Sequence, residues 1–252
     1  MYDYVIDVFN KCDILILQET WLYNFEHRLF TNIIPDCQYL AISAMDETYI
    51  GRKGRPFGGC AVIWHKNLTL SVTPVNTISS RICAVNVKYE QLQFMLITVY
   101  MPNDDNSVSN YDIYGDILAE MSSIICDYEH DIILGGDFNV DFSRTNSNNL
   151  DLLKQFIESE DLQCTTLGIM HDNFTREDCF GTRSFIDHFI VNRNVKYFNV
   201  EVLYNGANLS DHNPLTIQTA FNVIYTNTDF YKYKIIDWSK AKENYIKNYK
   251  LT

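Results

Sequence analysis

The sequence predicts a mixed α/β fold in which two packed β-sheets carry helices on their outer faces. Roughly ten short apolar runs have the length and alternation of strands, and a few longer segments have helical apolar spacing. The runs follow one another both as hairpins and as strand–helix–strand steps, which favours mixed sheets. We therefore expect a four-layer α/β/β/α sandwich of two mixed sheets with flanking helices over residues 1–221, without internal repeats.

The individual elements are predicted from the same periodicities. Helices are expected at residues 2–10, 23–33, 111–128 and 150–158. Strands are expected at residues 13–17, 38–43, 58–64, 81–89, 92–100, 132–134, 184–191, 200–203 and 215–221. Glu90 and Gln91 would form the tight turn of a hairpin between two of these strands. Residues 162–183 are expected to be irregular.

The charge of the chain argues against one broad class of function. The formal net charge of −12 argues against a general basic nucleic-acid binder. A nuclease is still allowed, because acidic residues gathered around metal ions also count toward the total. From residue 230 to the end, six Lys against Asp237 and Glu243 give +4, which leaves −16 for the rest. We expect residues 222–252 to be a linker or helical connector, with its helix at 232–250.

The cysteines favour a reducing compartment. They lie at positions 12, 37, 60, 83, 126, 164 and 179, so their number is odd and no C-x-x-C pair is present. We expect reduced core cysteines in an intracellular protein, with zinc or disulfides as the alternative. The N-terminus has Asp3 and Asp7 and no long apolar run, which argues against a signal peptide and a membrane span.

The segment Gly135–Asn139 is the strongest local signal for chemistry. It follows Ile132–Leu134, which has the composition of a buried strand, and its glycines permit a sharp turn or a close approach to a ligand. Asp137 and Asn139 would then emerge on one side of the strand's carboxyl end. A carboxylate beside an amide suits phosphate and metal chemistry, although an ordinary strand-end turn uses the same residues.

Polar residues recur at the ends of other predicted strands. They are Glu19, Tyr100 with Asn103, Asp187, and Asp211 with His212. This recurrence predicts a pocket lined by strand ends. Two carboxylates about 4 Å apart repel by roughly 4 kcal/mol at an effective dielectric near 20, so a convergent site needs a cation. Oxygen ligands favour Mg²⁺ or Mn²⁺ over zinc. Glu19 alone would equally suit a solvated helix cap, and Asp187, inside an apolar strand, needs a partner such as histidine.

At these motifs the sequence resembles the endonuclease/exonuclease/phosphatase superfamily over about residues 1–221. The matching segments, in chain order, are Gln18–Thr20, Tyr100–Asn103, Gly136–Asn139, Ser184–His188 and Ser210–His212. Within the superfamily, the sequence is most similar to the apurinic-type endonuclease domain of non-LTR (LINE-like) retrotransposons. That similarity lies in Leu17–Leu22, Gly58–Val62 and Ser184–His188. The tail around Asp237 and Trp238 is similar to the connector that precedes reverse transcriptase in such polyproteins.

The resemblance implies a role for each site residue. Glu19 would bind Mg²⁺, which Mn²⁺ can replace, and Asp211 would be a nearby or second ligand. Asp137 would activate the attacking water or manage the leaving oxygen. His212, oriented by Asp187, would bond the scissile phosphate. The residues implied to hold phosphate oxygens or support the centre are Tyr100, Asn103, Asn139, Thr175 and Ser210.

The implied activity is metal-assisted phosphodiester hydrolysis that nicks DNA and leaves a 3′-hydroxyl to prime reverse transcription. The implied partners are DNA and, in a full-length polyprotein, a C-terminal reverse transcriptase; we expect a monomer that acts in the nucleus. The family begins with a further strand that carries an Asn near the metal, whereas this chain begins at the first helix. We therefore expect the first strand to be missing and the neighbouring strand to have an exposed edge.

Other functions are compatible with the same scaffold. The alternatives are a catalytically inactive truncated domain and a phosphatase or sphingomyelinase. A serine hydrolase built on Ser210, Asp211 and His212 is strongly disfavoured, because adjacent residues of an extended segment point in different directions and cannot form a relay. The basic loop at residues 51–56 is interpreted as a solvated turn in preference to a phosphate contact.

Overall fold

The computed structural model describes residues 2–45, 57–105, 107–145, 147–221 and 231–239. The helices in these ranges are α1 (Tyr2–Phe9), α2 (Leu29–Ile33), α3 (Val108–Ile125) and α4 (Asn148–Ser159), with a 3-10 turn at Asn24–Glu26. The strands are β1 (Ile14–Gln18), β2 (Cys37–Ile42), β3 (Cys60–His65), β4 (Ser71–Val75), β5 (Ile82–Tyr89), β6 (Leu92–Tyr100), β7 (Asp131–Asp137), β8 (Leu162–Cys164), β9 (Arg176–Glu177), β10 (Arg183–Ser184), β11 (Asp187–Asn192), β12 (Lys196–Val202), β13 (Leu215–Phe221) and β14 (Tyr231–Ser239).

The strands form two six-stranded sheets and one short hairpin. The first sheet has the order β12–β13–β14–β1–β3–β2, and the second has the order β4–β5–β6–β7–β11–β8. Both sheets are mixed, because β1 runs parallel to β14 and β6 runs parallel to β7, while the other pairings are antiparallel. The strands β9 and β10 pair with each other and form the short hairpin.

The two sheets pack face to face, and helices cover their outer faces. Alternate residues of β1 show the layering: Ile14 and Ile16 belong to the core between the sheets, whereas Leu15 and Leu17 belong to the core under α1 and α2. On the second sheet, the outer face packs against α3 and α4 through a separate buried cluster. The predicted α/β/β/α sandwich is therefore confirmed.

Most elements follow the predicted pattern, and the differences have local causes. The hairpin of β5 and β6 turns at the expected residues, since Tyr89 pairs with Leu92 and Glu90 has a positive φ of 52°. The strand β4 was not predicted, because it is an edge strand whose side chains are exposed or only half-buried. Residues 162–183, predicted to be irregular, contain β8 and β9, which are too short to show a period.

The C-terminal segment differs from its prediction. A helix was predicted at 232–250, and this is wrong for Tyr231–Ser239, which form β14. This strand lies between β1 and β13, parallel to the former from Ile14↔Ile235 to Gln18↔Ser239. Pairing on both sides overrides a weak helical pattern, and the exposed edge expected on β1 is absent. Residues 222–230 and 240–252 and the basic loop 51–56 lie outside the described residues.

The cysteines are all reduced, as predicted, but not all of them are core residues. Cys12, Cys37, Cys60 and Cys83 are buried. Cys126, predicted to be a core residue, is exposed because it lies at the C-terminal end of α3. Among the helices in the described ranges, none has the length and apolar composition needed to cross a bilayer.

Candidate active site at one edge of the two sheets

A row of side chains that the sequence predicts in the site crosses the second sheet at one edge. Tyr100, the last residue of β6, pairs with Asp137 at the end of β7, and Asp137 pairs with Asp187 at the start of β11. Residues directly opposite each other on neighbouring strands point to the same face. The register therefore brings together three side chains that the sequence placed at separate strand ends.

Two glycines before Asp137 make this arrangement sterically feasible. A Cβ atom on Gly136, whose φ is +152°, would lie 2.0 Å from the carbonyl oxygen of Val99. A Cβ atom on Gly135 would lie 2.6 Å from side-chain carbons of Ile16 and Phe189. Gly136 thus permits the pairing of β6 with β7, and Gly135 permits β1 to pack closely over β7.

The acidic pair at the centre of the row is compensated by a histidine. Asp137 and Asp187 are fully or almost fully buried and lie opposite each other, which is unfavourable for two carboxylates. His212 Nδ1 lies 2.8 Å from Asp187 Oδ2, and the three side chains present ligand atoms within 4.8 Å of one another. The buried charge of Asp187 is therefore paired with His212, whereas the neighbouring His188 contacts Thr166 and Val140 on the other face of β11.

The environment of His212 favours its protonated form. Burial lowers the pKa of the imidazole, but the charge and hydrogen bond of Asp187, together with the charges of Asp137 and Asp211, outweigh burial and raise it above its ordinary value. Nδ1 is oriented toward Asp187, so Nε2 is the ring nitrogen suited to a substrate oxygen. In its protonated form, His212 is therefore placed to donate a hydrogen bond from Nε2.

Polar residues behind the Asp187–His212 pair hold it in position. The hydroxyl oxygen of Thr175 accepts the backbone N–H groups of Ile186 and Asp187, at 3.0 and 3.1 Å. The hydroxyl oxygen of Ser210 accepts the backbone N–H of His212 at 3.0 Å. Thr175 is fully buried, so the structure places it in the support of the pair, at a distance from solvent.

Glu19 lies on the first sheet, directly after β1, and meets the row at Tyr100. Burial, followed by the charge and hydrogen bond of Glu19 and the charge of Asp137, raises the pKa of the Tyr100 hydroxyl, while Arg81 acts in the opposite direction. Both carboxylates therefore lie beside the same phenol, which keeps its proton at neutral pH. Trp21 Nε1–H also donates to Glu19 Oε2 at 3.1 Å.

The backbone around the site is locally strained. Glu19, Trp21 and Asn139 have φ values of 50°, 55° and 51°, in the left-handed region that non-glycine residues rarely adopt. Backbone N–H groups of Thr20 and Trp21 donate to the carbonyls of Gly59 and Gly58, which hold the first two strained positions. Such conformations persist where the surroundings impose them, and they concentrate at functional sites.

The two asparagines predicted in the site differ in their placement. Asn139 donates from Nδ2 to the Met101 carbonyl at 2.8 Å, and its backbone N–H donates to Asp137 Oδ1 at 2.9 Å. It is therefore attached to both the β6 and β7 ends of the row. Asn103 has an exposed side chain, and its carbonyl accepts a hydrogen bond from Asn110 at 3.4 Å.

Asp211 lies beside the guanidinium of Arg176 at the end of the cluster that is farther from Glu19. Its Oδ2 is 3.6 Å from Arg176 Nε, and both side chains are partly exposed. The structure thus links Glu19 to Tyr100 and Asp211 to Arg176. An open cavity of about 450 Å³ adjoins Asp211 and Ser210, with Phe174 and Tyr204 among the side chains that line it.

The donor set fits a hard divalent cation. Glu19 and Asp137 present carboxylates beside Tyr100, and Asp137, Asp187 and His212 form a buried group of possible ligand atoms. Carboxylate oxygens are the ligands that Mg²⁺ and Mn²⁺ prefer, and such a cation would offset their mutual repulsion.

Sequence reasoning did not identify three residues that contact this site. Trp21 binds Glu19, Arg81 Nη1 donates to the Tyr100 carbonyl at 3.1 Å, and Arg176 pairs with Asp211. Arg81 and Arg176 have partners that are distant in sequence, so no local spacing indicates them. Trp21 lies within the motif Leu17–Leu22, but its positive φ is not visible in the sequence.

Comparison with known sequences identifies one family. The profile of the Endonuclease/Exonuclease/phosphatase family matches residues 2–212. A search of curated proteins finds no match to the chain.

Solved structures with a similar fold include both nucleases and a phosphatase. The mannosyl-6-phosphatase of Bacteroides thetaiotaomicron is 16% identical, with a TM-score of 0.62 over 87% of this chain and 90% of that one. The endonuclease domain of TRAS1, a telomere-specific non-LTR retrotransposon, is 14% identical, with a TM-score of 0.61 over 84% and 87%. An AP endonuclease from Archaeoglobus fulgidus is 17% identical, with a TM-score of 0.62 over 88% and 94%. At these identities the likeness concerns the fold.

Proposed function

Because the chain belongs to the Endonuclease/Exonuclease/phosphatase family, we propose that it hydrolyses phosphodiester bonds of DNA in a reaction that depends on Mg²⁺. One observation carries the proposal: Asp137, Asp187 and His212 converge in a buried cluster at the strand ends, with Tyr100 and Glu19 beside them. This cluster combines a base, an imidazole oriented by a carboxylate, and metal-binding oxygens.

In the proposed reaction, Asp137 is the general base. Asn139 N–H holds one oxygen of its carboxylate at 2.9 Å, so the orientation of the group is fixed. We assign to Asp137 the proton of the water that attacks phosphorus. The bond from phosphorus to the 3′-oxygen breaks, and that oxygen takes a proton from solvent water. His212, protonated and held by Asp187, donates from Nε2 to a phosphate oxygen and stabilises the charge that develops there.

The other site residues position the phosphate. Asn139 uses one N–H on the Met101 carbonyl, and the amide has a second N–H for a phosphate oxygen. Asn103, at the exposed rim, is assigned an outer phosphate contact. Glu19 would hold a divalent metal, with Asp211 nearby, and the metal would supply Lewis-acid stabilisation of the phosphoryl oxygens. Tyr100 keeps its proton and orients Glu19.

We further propose that the substrate is target-site DNA of a non-LTR retrotransposon and that the chain acts as a monomer in the nucleus. The sequence motifs and the fold shared with the TRAS1 endonuclease domain support this. The nick would leave a 3′-hydroxyl that primes a reverse transcriptase joined to the C-terminal side of the chain.

A substrate comparison tests the proposal. The purified chain is incubated with Mg²⁺ in three separate reactions. One contains supercoiled plasmid, one contains mannose 6-phosphate and one contains sphingomyelin micelles. We expect plasmid nicking, with ends that a DNA polymerase extends directly because they carry a 3′-hydroxyl. Release of phosphate from the sugar without nicking would establish a phosphatase instead, as the fold shared with the mannosyl-6-phosphatase allows. A folded chain without any activity would support the inactive domain.

A further inference from the structure

We propose that Arg81 and Arg176 bind backbone phosphates on opposite sides of the scissile bond. The inference rests on the proposed function, because it assumes that a nucleic-acid strand crosses the cluster. It adds two substrate-binding residues that the sequence motifs do not contain.

The sheet register places Arg81 at one end of the row formed by Tyr100, Asp137 and Asp187. The backbone N–H of Tyr100 donates to the carbonyl of Arg81 at 2.9 Å, so Arg81, which directly precedes β5, lies beside Tyr100. The row then continues through Asp137 to Asp187. Neighbouring strands lie about 4.8 Å apart, so three strand spacings separate the main chains of Arg81 and Asp187 by roughly 14 Å.

The main chain places Arg176 at the other end. Arg176 forms an isolated β-bridge with His212, which is bonded to Asp187. The two arginines therefore flank the cluster. Nucleotides rise about 3.4 Å each along one strand of a duplex, so a strand over the row passes roughly four nucleotides. Phosphates on both sides of the scissile one would then meet an arginine.

The guanidinium of Arg81 has hydrogen-bonding capacity to spare. Nη1 donates to the Tyr100 carbonyl, and the guanidinium carbon lies 4.9 Å from the centre of the Tyr100 ring. A guanidinium has five N–H donors in a planar fork that suits phosphate oxygens. Within the described ranges, the side chain of Arg81 makes no other hydrogen bond.

The backbone of Arg81 is held firmly. Its N–H donates to Ser79 Oγ at 3.2 Å, and the N–H groups of Ile78 and Ser79 both donate to the carboxylate of Glu120 on α3. Cys60 Sγ donates to the Arg81 carbonyl at 3.4 Å. An anchored backbone reduces the ordering that the side chain needs when it binds a phosphate.

Arg176 is held only weakly by its acidic neighbour. The 3.6 Å separation of Nε from Asp211 Oδ2 is an ion pair without a hydrogen bond, and the Arg176 side chain is 35% exposed. Partly exposed ion pairs contribute little, so this guanidinium is available for a stronger bidentate partner. The nearby Arg183 is already engaged, because it pairs with Glu177 and stacks on Phe174.

The acidity of the protein makes such contacts necessary. A chain with a net charge of −12 and buried carboxylates in its site repels a polyanion at long range. Non-specific DNA affinity comes from Lys and Arg contacts to phosphates, and each contact releases counterions. Each bound phosphate therefore changes the salt dependence of binding, which is a readout that a purely structural arginine does not affect.

The experiment measures the salt dependence of DNA binding. A fluorescein-labelled 20-base-pair duplex is titrated with protein at several NaCl concentrations, and the dissociation constant is obtained from anisotropy. The variants are Arg81→Gln, Arg176→Gln and the double variant, with Arg81→Lys as the charge-preserving form. Arg193→Gln is the matched control, since Arg193 follows β11 at the end opposite Asp187 and pairs with Asp161.

We expect each glutamine variant to lower the slope of log K against log[NaCl] by about 0.9, and the double variant by about 1.8. Arg81→Lys and Arg193→Gln should keep nearly the wild-type slope. Unchanged slopes in folded glutamine variants, or no binding of the duplex by the wild type, would overturn the inference. Because the measurement requires no cleavage, a chain that binds with these slopes but does not nick would contradict the proposed function alone.

Discussion

At the scale of single residues, the site is defined by contacts that orient charged groups. The hydrogen bond between His212 Nδ1 and Asp187 and the hydrogen bond from Trp21 to Glu19 each fix one side chain of the proposed site. The first contact was implied by the family resemblance, and the second depends on a strained backbone that the sequence does not reveal.

Trp21 is predicted to orient Glu19 for metal binding. Trp21→Phe keeps a buried aromatic ring but removes the N–H that donates to Glu19. Hydrogen bonds to charged groups contribute about 1.5–3 kcal/mol to stability. We expect nicking to fall about tenfold or more, with a higher Mg²⁺ concentration needed for half-maximal rate. Trp64→Phe is the control, because it removes a comparable indole hydrogen bond, to Gln38. Trp64 pairs with Ile14, at the end of β1 that is farther from Glu19. Equal losses in both variants would contradict the prediction.

Asp141 is predicted to make folding sensitive to acid. Burial favours a higher pKa, but hydrogen bonds from Ser143 and Phe185 and the charge of Arg144 outweigh it and lower the pKa of Asp141 below 3.8. The Asp141 carboxylate therefore stabilises the folded state fully above the pKa that it has in the unfolded chain. This stabilisation is lost as the pH falls through the pKa that it has in the folded chain.

Urea unfolding at several pH values tests this expectation. Asp141→Asn should be less stable than the wild type by about 1–3 kcal/mol at pH 7, and the difference should shrink below pH 3.8. Asp116→Asn, an exposed change on α3, should follow the wild type throughout. A difference that stays constant with pH would show that charge is not involved.

At the scale of elements, the two glycines of β7 decide whether Tyr100, Asp137 and Asp187 can align across the sheet. A methyl group on Gly136 would overlap the Val99 carbonyl, whereas one on Gly115 would meet nothing within 4 Å. We expect Gly136→Ala to destabilise the fold by about 3 kcal/mol or more. Gly115→Ala, inside α3, should stabilise it by up to about 1 kcal/mol. Chemical denaturation measures both, and similar small effects would contradict the assigned packing.

The elements also show what can be predicted from a sequence. The strand β7 and the hairpin of β5 and β6 were predictable, because their apolar periods and turn residues are local. The strands β9 and β10 have two residues each and exist through pairing with one another. The convergence of Asp137 with Asp187 required the sheet register, which a sequence without its resemblance to a family does not specify.

At the scale of the whole molecule, the C-terminal strand β14 ties the end of the described chain to the sheet that carries Glu19. It pairs with β1 on one side and β13 on the other. Composition predicted a connector here, because lysines dominate and the apolar stripe is weak. The position in the sheet depends on two distant strands and was not accessible to local reasoning.

Removal of β14 is predicted to destabilise the whole fold. A chain that ends at Phe221 leaves β1 and β13 with unpaired edges, and each backbone hydrogen bond contributes about 1 kcal/mol. We expect a lower urea midpoint and aggregation, whereas a chain that ends at Ser239 should behave as the full chain does. An unchanged midpoint for the shorter chain would instead favour a separate connector from residue 222.

The rate of plasmid nicking by Asp137→Asn tests the central claim most directly. Asp137 is the proposed base, and its substitution by the nearly isosteric amide keeps the shape of the cluster. We predict that the wild type and Asp116→Asn convert supercoiled plasmid to open circles with Mg²⁺ at equal rates, and that Asp137→Asn is slower by about 10² or more. Equal rates for the wild type and a folded Asp137→Asn variant would contradict the assignment of this cluster as the active site.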